Sequence, residues 1–159
     1  MTYLGAPVIY YSDEAGMWGA NDPDCRKPMV WDDLNYDDKK TLPDQSKKDK
    51  ADKVELNREI FDHYKKIIRI RNNYAALQTG SFKTTLINNN KNVYASARRL
   101  GKQFIIVTIN NSNFNRKIKL NLNRNDLFYD ALNNLTVKSN RKKLSINVKA
   151  KWGRIFVRQ

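Results

Sequence analysis

YLGAPVIYYSDEAGMWGANDPDCRKPMVW, residues 3–31, is the stretch on which the reading of this chain turns. The apolar run Ala6–Tyr11 stops abruptly at Ser12-Asp13-Glu14, and a loop carrying Gly16, Gly19, Asp22, Pro23, Asp24 and Arg26 follows. A short apolar run bounded in this way predicts a buried parallel strand over residues 3–11, because strands covered on both faces lose the polar half of their alternation. Pro7 has no N–H to give to a ladder and belongs near the first residues of such a strand. Ser12, Asp13 and Glu14 then fall at its carboxyl end, where α/β barrels keep their sites.

The motif that carries a resemblance runs from Gly5 to Trp31. Its fixed positions are Gly5, Pro7, Ile9, Tyr10, Tyr11, Asp13, Glu14, Gly16, Met17, Gly19, Asp22, Pro23, Cys25, Arg26, Pro28, Met29 and Trp31. In this order they resemble the eighth strand and following loop of the alpha-amylase family (glycoside hydrolase family 13), in its neopullulanase and cyclomaltodextrinase branch. Ser12 is the one clear departure, since that branch usually has Gly there. Glycine serves positions with positive φ or close backbone approach, so Ser12 is expected to alter the local backbone.

The resemblance implies an α+β chain. Residues 1–77 would be the last strand, long loop and last helix of a (β/α)8 barrel, and residues 78–159 an antiparallel β-sandwich C-terminal domain. It also implies a parent enzyme that cleaves α-1,4 bonds, with α-1,6 bonds as a second candidate, in maltodextrins, pullulan or cyclodextrins by a retaining mechanism. Such hydrolysis needs two carboxylates about 5 Å apart. In the resembled family these lie after the fourth and fifth barrel strands, with a third Asp after the seventh, all of which would precede Met1. The expectation is therefore no catalytic residue in this chain and no activity by it alone. The remainder of the barrel would be its partner, and an α-glucan its substrate through the parent enzyme. Export of a bacterial parent to the periplasm or outside the cell is an expectation only, since polymeric glucans lie outside the cytoplasm whereas short dextrins can be imported; residues 1–11 have neither the basic start nor the cleavage site of a signal peptide.

On the substrate side, the resemblance puts Asp22 and Arg26 against sugar hydroxyls. A carboxylate accepts from two vicinal hydroxyls, and a guanidinium donates in a fixed fork. The alternative is an ion pair between the two that braces the loop. Trp18 either stacks on a sugar face or packs inside the loop. Asp13 and Glu14 read as hydrogen-bonding partners of the loop backbone, Met29 and Trp31 as core packing, and Cys25 as a small buried residue.

Downstream, residues 15–50 read as a long irregular segment whose second half is polar and charge-dense. Its aspartates lack the turn glycine and closing glutamate of an EF-hand, so no metal is expected. Asp52 and Glu55 have capping-box spacing ahead of Ile60, Phe61, Tyr64, Ile67, Ile68 and Arg71, one stripe of an amphipathic helix ending near Asn73, with Gly80 in the turn beyond. His63, the single histidine, reads as a helix-surface residue. From Phe82 onward the period becomes two. Lys117–Leu122 and Lys143–Lys149 alternate as half-buried strands, while Phe104–Ile109 is apolar on both faces and reads as a central strand. Turns are signalled at Leu100–Lys102, Asn110–Asn113 and Asn133-Asn134.

Composition bounds the remaining possibilities. No apolar run approaches the ~20 residues of a membrane span. A single Cys25 and a single His63 leave no disulfide, zinc site, Cys-His pair or Ser-His-Asp triad to be built convincingly; the sequence carries no Gly-rich phosphate loop, and no cofactor is expected. Charge is divided: residues 1–38 carry two basic and eight acidic side chains, whereas residues 82–159 carry 17 Lys or Arg against Asp126 and Asp130. A basic β-domain with Phe104, Phe114, Tyr129 and Trp152 defines the competing reading, a nucleic-acid or polysaccharide binder without catalysis. A lysine-rich solvated surface explains the same charge more simply, and a starch-binding sandwich would need an exposed aromatic pair that the sequence does not identify.

Overall fold

The computed structural model describes every residue except Trp18, Ala20, Asn21, Pro23, Asp24 and Pro43. It divides into two compact units, Pro7–Lys66 and a β-rich unit made of Met1–Ala6 with Ile67–Gln159.

In Pro7–Lys66 the expected opening strand is absent. Residues 6–10 have no regular secondary structure, and Val8 (91% exposed) and Tyr10 (58%) face solvent. The physical reason is pairing. A parallel strand needs neighbours for its N–H and C=O groups, and among the described residues none lies beside this segment. Within residues 15–50, read as wholly irregular, two short strands form a hairpin, β1 (Lys39–Thr41) and β2 (Lys47–Asp52), antiparallel with an irregular register. Its turn is closed by Leu42 N–H donating to the Ser46 carbonyl (2.8 Å) and by the Asp44 carboxylate accepting from the Ser46 N–H and hydroxyl (3.0 and 2.6 Å).

Helix α1 spans Arg58–Asn73. The capping residue is Asn57, not Asp52: the Asn57 side-chain oxygen accepts the Ile60 N–H at 3.1 Å, and Asp52 lies at the end of β2. Glu59 in the first turn and Arg71 in the last complement the helix dipole.

In the β-rich unit, a one-turn helix α2 (Ala75–Gln78) leads into Gly80. A Cβ there would meet the Ala76 carbonyl oxygen at 2.4 Å, so the turn admits only glycine. Eight strands follow: β3 (Ser81–Asn88), β4 (Val93–Leu100), β5 (Gln103–Asn110), β6 (Arg116–Asn121), β7 (Leu127–Asp130), β8 (Leu135–Lys138), β9 (Lys143–Val148) and β10 (Trp152–Arg158). They make an antiparallel six-stranded sheet in the order β3-β4-β5-β10-β7-β8 and a two-stranded sheet of β6 and β9. β5 lies between β4 and β10, as its two-sided apolar run requires. The β4–β5 turn uses Gly101 at φ +54°, whereas the turn into β9 places two non-glycines, Arg141 and Lys142, at φ 48° and 57°.

The alternation of β6 and β9 buries Ile118, Leu120, Leu144, Ile146 and Val148 and exposes Lys117 and Lys119. Those five side chains share one apolar cluster with Val93, Ala95, Ile106, Phe128 and Phe156 of the larger sheet. Phe128 and Phe156 are fully buried and meet edge to face at 6.4 Å, each worth about 1.5–3 kcal/mol in removed apolar surface. On the other face of that sheet, Ile105, Val107, Ile155 and Val157 pack with Ile70, Ala76 and Leu77 of the helical segment.

Two arginines fasten Met1–Ala6 to this unit. Arg98, fully buried, donates to the carbonyls of Thr2 (3.0 Å), Tyr3 (3.2 Å), Gly80 (3.0 Å) and Ser81 (3.2 Å). Arg71 donates to those of Met1 (2.7 Å), Gly5 (2.8 Å) and Leu77 (2.7 Å). Burial, and then the neighbouring Arg71 charge, pull the Arg98 guanidinium below its ordinary pKa.

Candidate functional site

The loop that follows Tyr11 is built by local backbone turns. Asp13 N–H donates to the Tyr10 carbonyl, Ala15 and Met17 donate to Ser12, and Gly16 donates to Asp13, all at 3.0–3.2 Å. Ser12 sits at φ +66°, the left-handed conformation for which glycine is suited. It is fully buried, and its hydroxyl accepts the Val30 N–H (3.3 Å) and approaches the Met29 sulfur (2.7 Å). Gly16, at φ +73°, lies so close to Asn57 that a Cβ would stand 2.8 Å from the Asn57 Cβ, and Asn57 N–H donates to the Ala15 carbonyl at 2.9 Å.

The returning segment of the loop, Lys27–Trp31, is tied by two phenols. Tyr11 donates to the Lys27 carbonyl (2.9 Å), and Tyr36 donates to the Met29 carbonyl (2.9 Å) while accepting the Trp31 N–H (2.7 Å). Burial, with Tyr10 beside it at 4.8 Å between rings, pushes the Tyr11 phenol above its ordinary pKa. The sequence reading missed Tyr36. Its signal was weak, a lone tyrosine in a charged stretch.

At the tip, Arg26 Nη2 donates to Asp22 Oδ2 at 3.0 Å, with both side chains well exposed (70% and 60%). The two residues expected to act together are therefore paired, in the bracing arrangement weighed from sequence, and in reach of solvent. Trp18, the third expected contact, lies outside the described residues. Two smaller expectations are corrected: Trp31 is 57% exposed rather than core, and Cys25 is exposed rather than buried. Glu14 Oε2 is shielded from solvent and has no hydrogen-bond partner among the described residues.

Behind the loop lies a cavity of about 370 Å³ whose walls include Met17, Lys27, Val30, Tyr36, Asp52 and Glu55. Among the described residues, no group of three or more His, Cys, Asp or Glu is arranged to hold a metal ion. The aromatic platform imagined on the β-rich unit does not form as one surface. Phe104 packs against the cluster shared by the two sheets, while Tyr129 packs on the opposite face with the helices. Asp130, one of the unit's two acidic residues, is buried and accepts from Arg154 Nε at 2.6 Å.

The family comparison agrees with the opening motif. Residues 1–80 match the alpha amylase, catalytic domain family. The chain is 39% identical over 111 residues to neopullulanase 2 of Thermoactinomyces vulgaris, covering 70% of this chain and 16% of that protein. It is 38% identical over 120 residues to a cyclomaltodextrinase of Thermoanaerobacter pseudethanolicus, covering 76% and 17%. A solved cyclomaltodextrinase superposes with a TM-score of 0.75 at 27% identity, covering 99% of this chain and 24% of that one. The chain thus spans about a sixth of the length of the curated relatives it matches. With half of its residues inside the family's catalytic-domain match, this chain belongs to the alpha-amylase family.

Proposed function

We propose that this chain is the closing portion of an α-glucan-degrading glycoside hydrolase. In this reading residues 1–77 complete a (β/α)8 barrel, and residues 78–159 form a sandwich domain that stabilises it. The observation that carries the reading is the solvent-facing Asp22–Arg26 pair on a loop braced by Ser12, Tyr11 and Tyr36. In the whole enzyme this pair would open toward sugar hydroxyls, the carboxylate accepting and the guanidinium donating. The names of the relatives support an α-glucan or cyclodextrin substrate.

The division of labour follows from retaining chemistry, which places a nucleophile and an acid/base on the same cleft. We assign neither role to this chain, and residues 3–11 would gain ladder partners from the other barrel strands. Two measurements test the assignment. Incubation of the chain with β-cyclodextrin, pullulan and starch is expected to release no sugar, and turnover would refute the division of labour. The DNA preceding the Met1 codon is expected to encode further barrel strands in frame; a stop codon directly upstream, behind a ribosome-binding site, would refute the parent enzyme.

A further inference from the structure

The face of the six-stranded sheet that packs on β6 and β9 is longer than those two strands cover. Beyond Asn121, where β6 ends, the chain leaves a groove of about 500 Å³ on the β-rich unit. Its walls carry Lys83, Arg99, Arg124 and Arg158 against a single carboxylate, Asp126. Strand register explains the gathering. Arg99 pairs across with Ser81 on one side and Phe104 on the other, so successive strands deliver their side chains to one spot.

At its centre the Phe104 ring has the Arg99 guanidinium 4.9 Å from its centroid and that of Arg158 at 5.1 Å. Asp126 is occupied by Arg124 at 2.8 Å and lies 4.0 Å from Arg158. Among the described residues no carboxylate pairs with Lys83 or Arg99. A guanidinium stacked on a ring keeps its edge N–H groups directed outward, in the fork geometry that suits phosphate oxygens.

We propose that this groove binds a compact phosphorylated ligand. Two observations set the class. The concentrated, incompletely paired positive charge calls for a multiply charged anion, and arginines occupy the space around Phe104, which disfavours stacking of a base or sugar on it. The volume falls in the range of small-molecule sites, enough for a sugar phosphate or a diphosphate. The assignment stands independently of any action on glucans.

Isothermal titration of the full chain with inorganic pyrophosphate, glucose 6-phosphate and single-stranded DNA tests it. One-site binding of pyrophosphate is expected, weakened roughly tenfold by Lys83→Ala and by Arg99→Gln, as loss of one charge-assisted bond implies. Lys149→Ala, next to the Val148 end of β9 that pairs with Arg116, is expected to leave it unchanged. Binding of glucose 6-phosphate as well would identify a sugar phosphate ligand, and pyrophosphate alone a free phosphate; either supports the site. Lys83 is an exposed residue, so Lys83→Ala keeps the test valid even if Arg99→Gln disturbs folding. Absence of binding, equal weakening by Lys149→Ala, or salt-steep DNA binding that ignores both groove variants would overturn the proposal.

Discussion

Replacing Arg98 by methionine removes the donors that join Met1–Ala6 to the β-rich unit while keeping most of the side-chain volume. Arg98 makes four hydrogen bonds, all to backbone carbonyls, at 3.0–3.2 Å. At roughly 1.5 kcal/mol each, the lower value for a charged donor, the gross loss is about 6 kcal/mol. Against this stands the desolvation of a fully buried guanidinium without a carboxylate, several kcal/mol that a methionine in its place would not incur. Thr2, Tyr3 and Ser81 lie where water can replace the lost donor, but Gly80 is buried, and its orphaned carbonyl costs about 1–3 kcal/mol. The net expectation is a loss of about 3 kcal/mol, a large share of a typical 5–15 kcal/mol stability. Urea unfolding of the full chain followed by circular dichroism measures it, and amide exchange at Leu4 and Gly5 reports release of the segment. A further check comes from Arg71→Met. The two guanidiniums repel, which helps to lower the Arg98 pKa; each single variant relieves that repulsion and the double relieves it only once, so the double variant should be more destabilised than the sum of the singles. A loss below about 1 kcal/mol with the segment still protected would refute the reasoning, because it would mean that burying the charge cancels its bonds.

Three other outcomes are expected. Ser12→Gly relieves a left-handed conformation but removes the hydroxyl contact to Val30, so stability should change by less than about 1 kcal/mol, whereas Ser12→Val, β-branched at φ +66°, should cost more than about 2 kcal/mol in thermal unfolding. Arg141→Asn combined with Lys142→Gly, at φ 48° and 57°, should stabilise by about 1–2 kcal/mol and raise the melting temperature by several degrees; no rise would contradict the turn geometry. The Asp44 carboxyl is held below its usual pKa by its hydrogen bonds to Ser46, first from the hydroxyl and then from the N–H, so its contribution to the β1–β2 turn is complete above the unfolded value and is lost as pH falls through the lowered one. The Ser46 amide chemical shift against pH follows this, and Asp44→Asn should flatten the titration.

Where local pattern dictates local structure, the sequence was sufficient. The alternation in Lys117–Leu122 and Lys143–Val148 became β6 and β9, because a two-residue period can bury only one face, and the apolar run Phe104–Ile109 became a strand covered on both sides. The α1 stripe was also legible, although its start was not. Asn57 caps it through a side-chain bond that the Asp52/Glu55 spacing imitated earlier in the chain. The motif from Gly5 to Trp31 determined the family by itself, since residue identities at many fixed spacings carry that information without any coordinates.

Only tertiary structure decided which charges are interior. Arg98 and Arg99 are adjacent in a basic stretch, yet one is sealed beneath four carbonyls and the other is exposed in a groove, because neighbouring residues of a strand point to opposite faces. It also decided that Val8 and Tyr10 stand in solvent. An apolar run states a preference for burial, but burial as a strand needs partners for the backbone, and those are supplied by other segments rather than by the run itself.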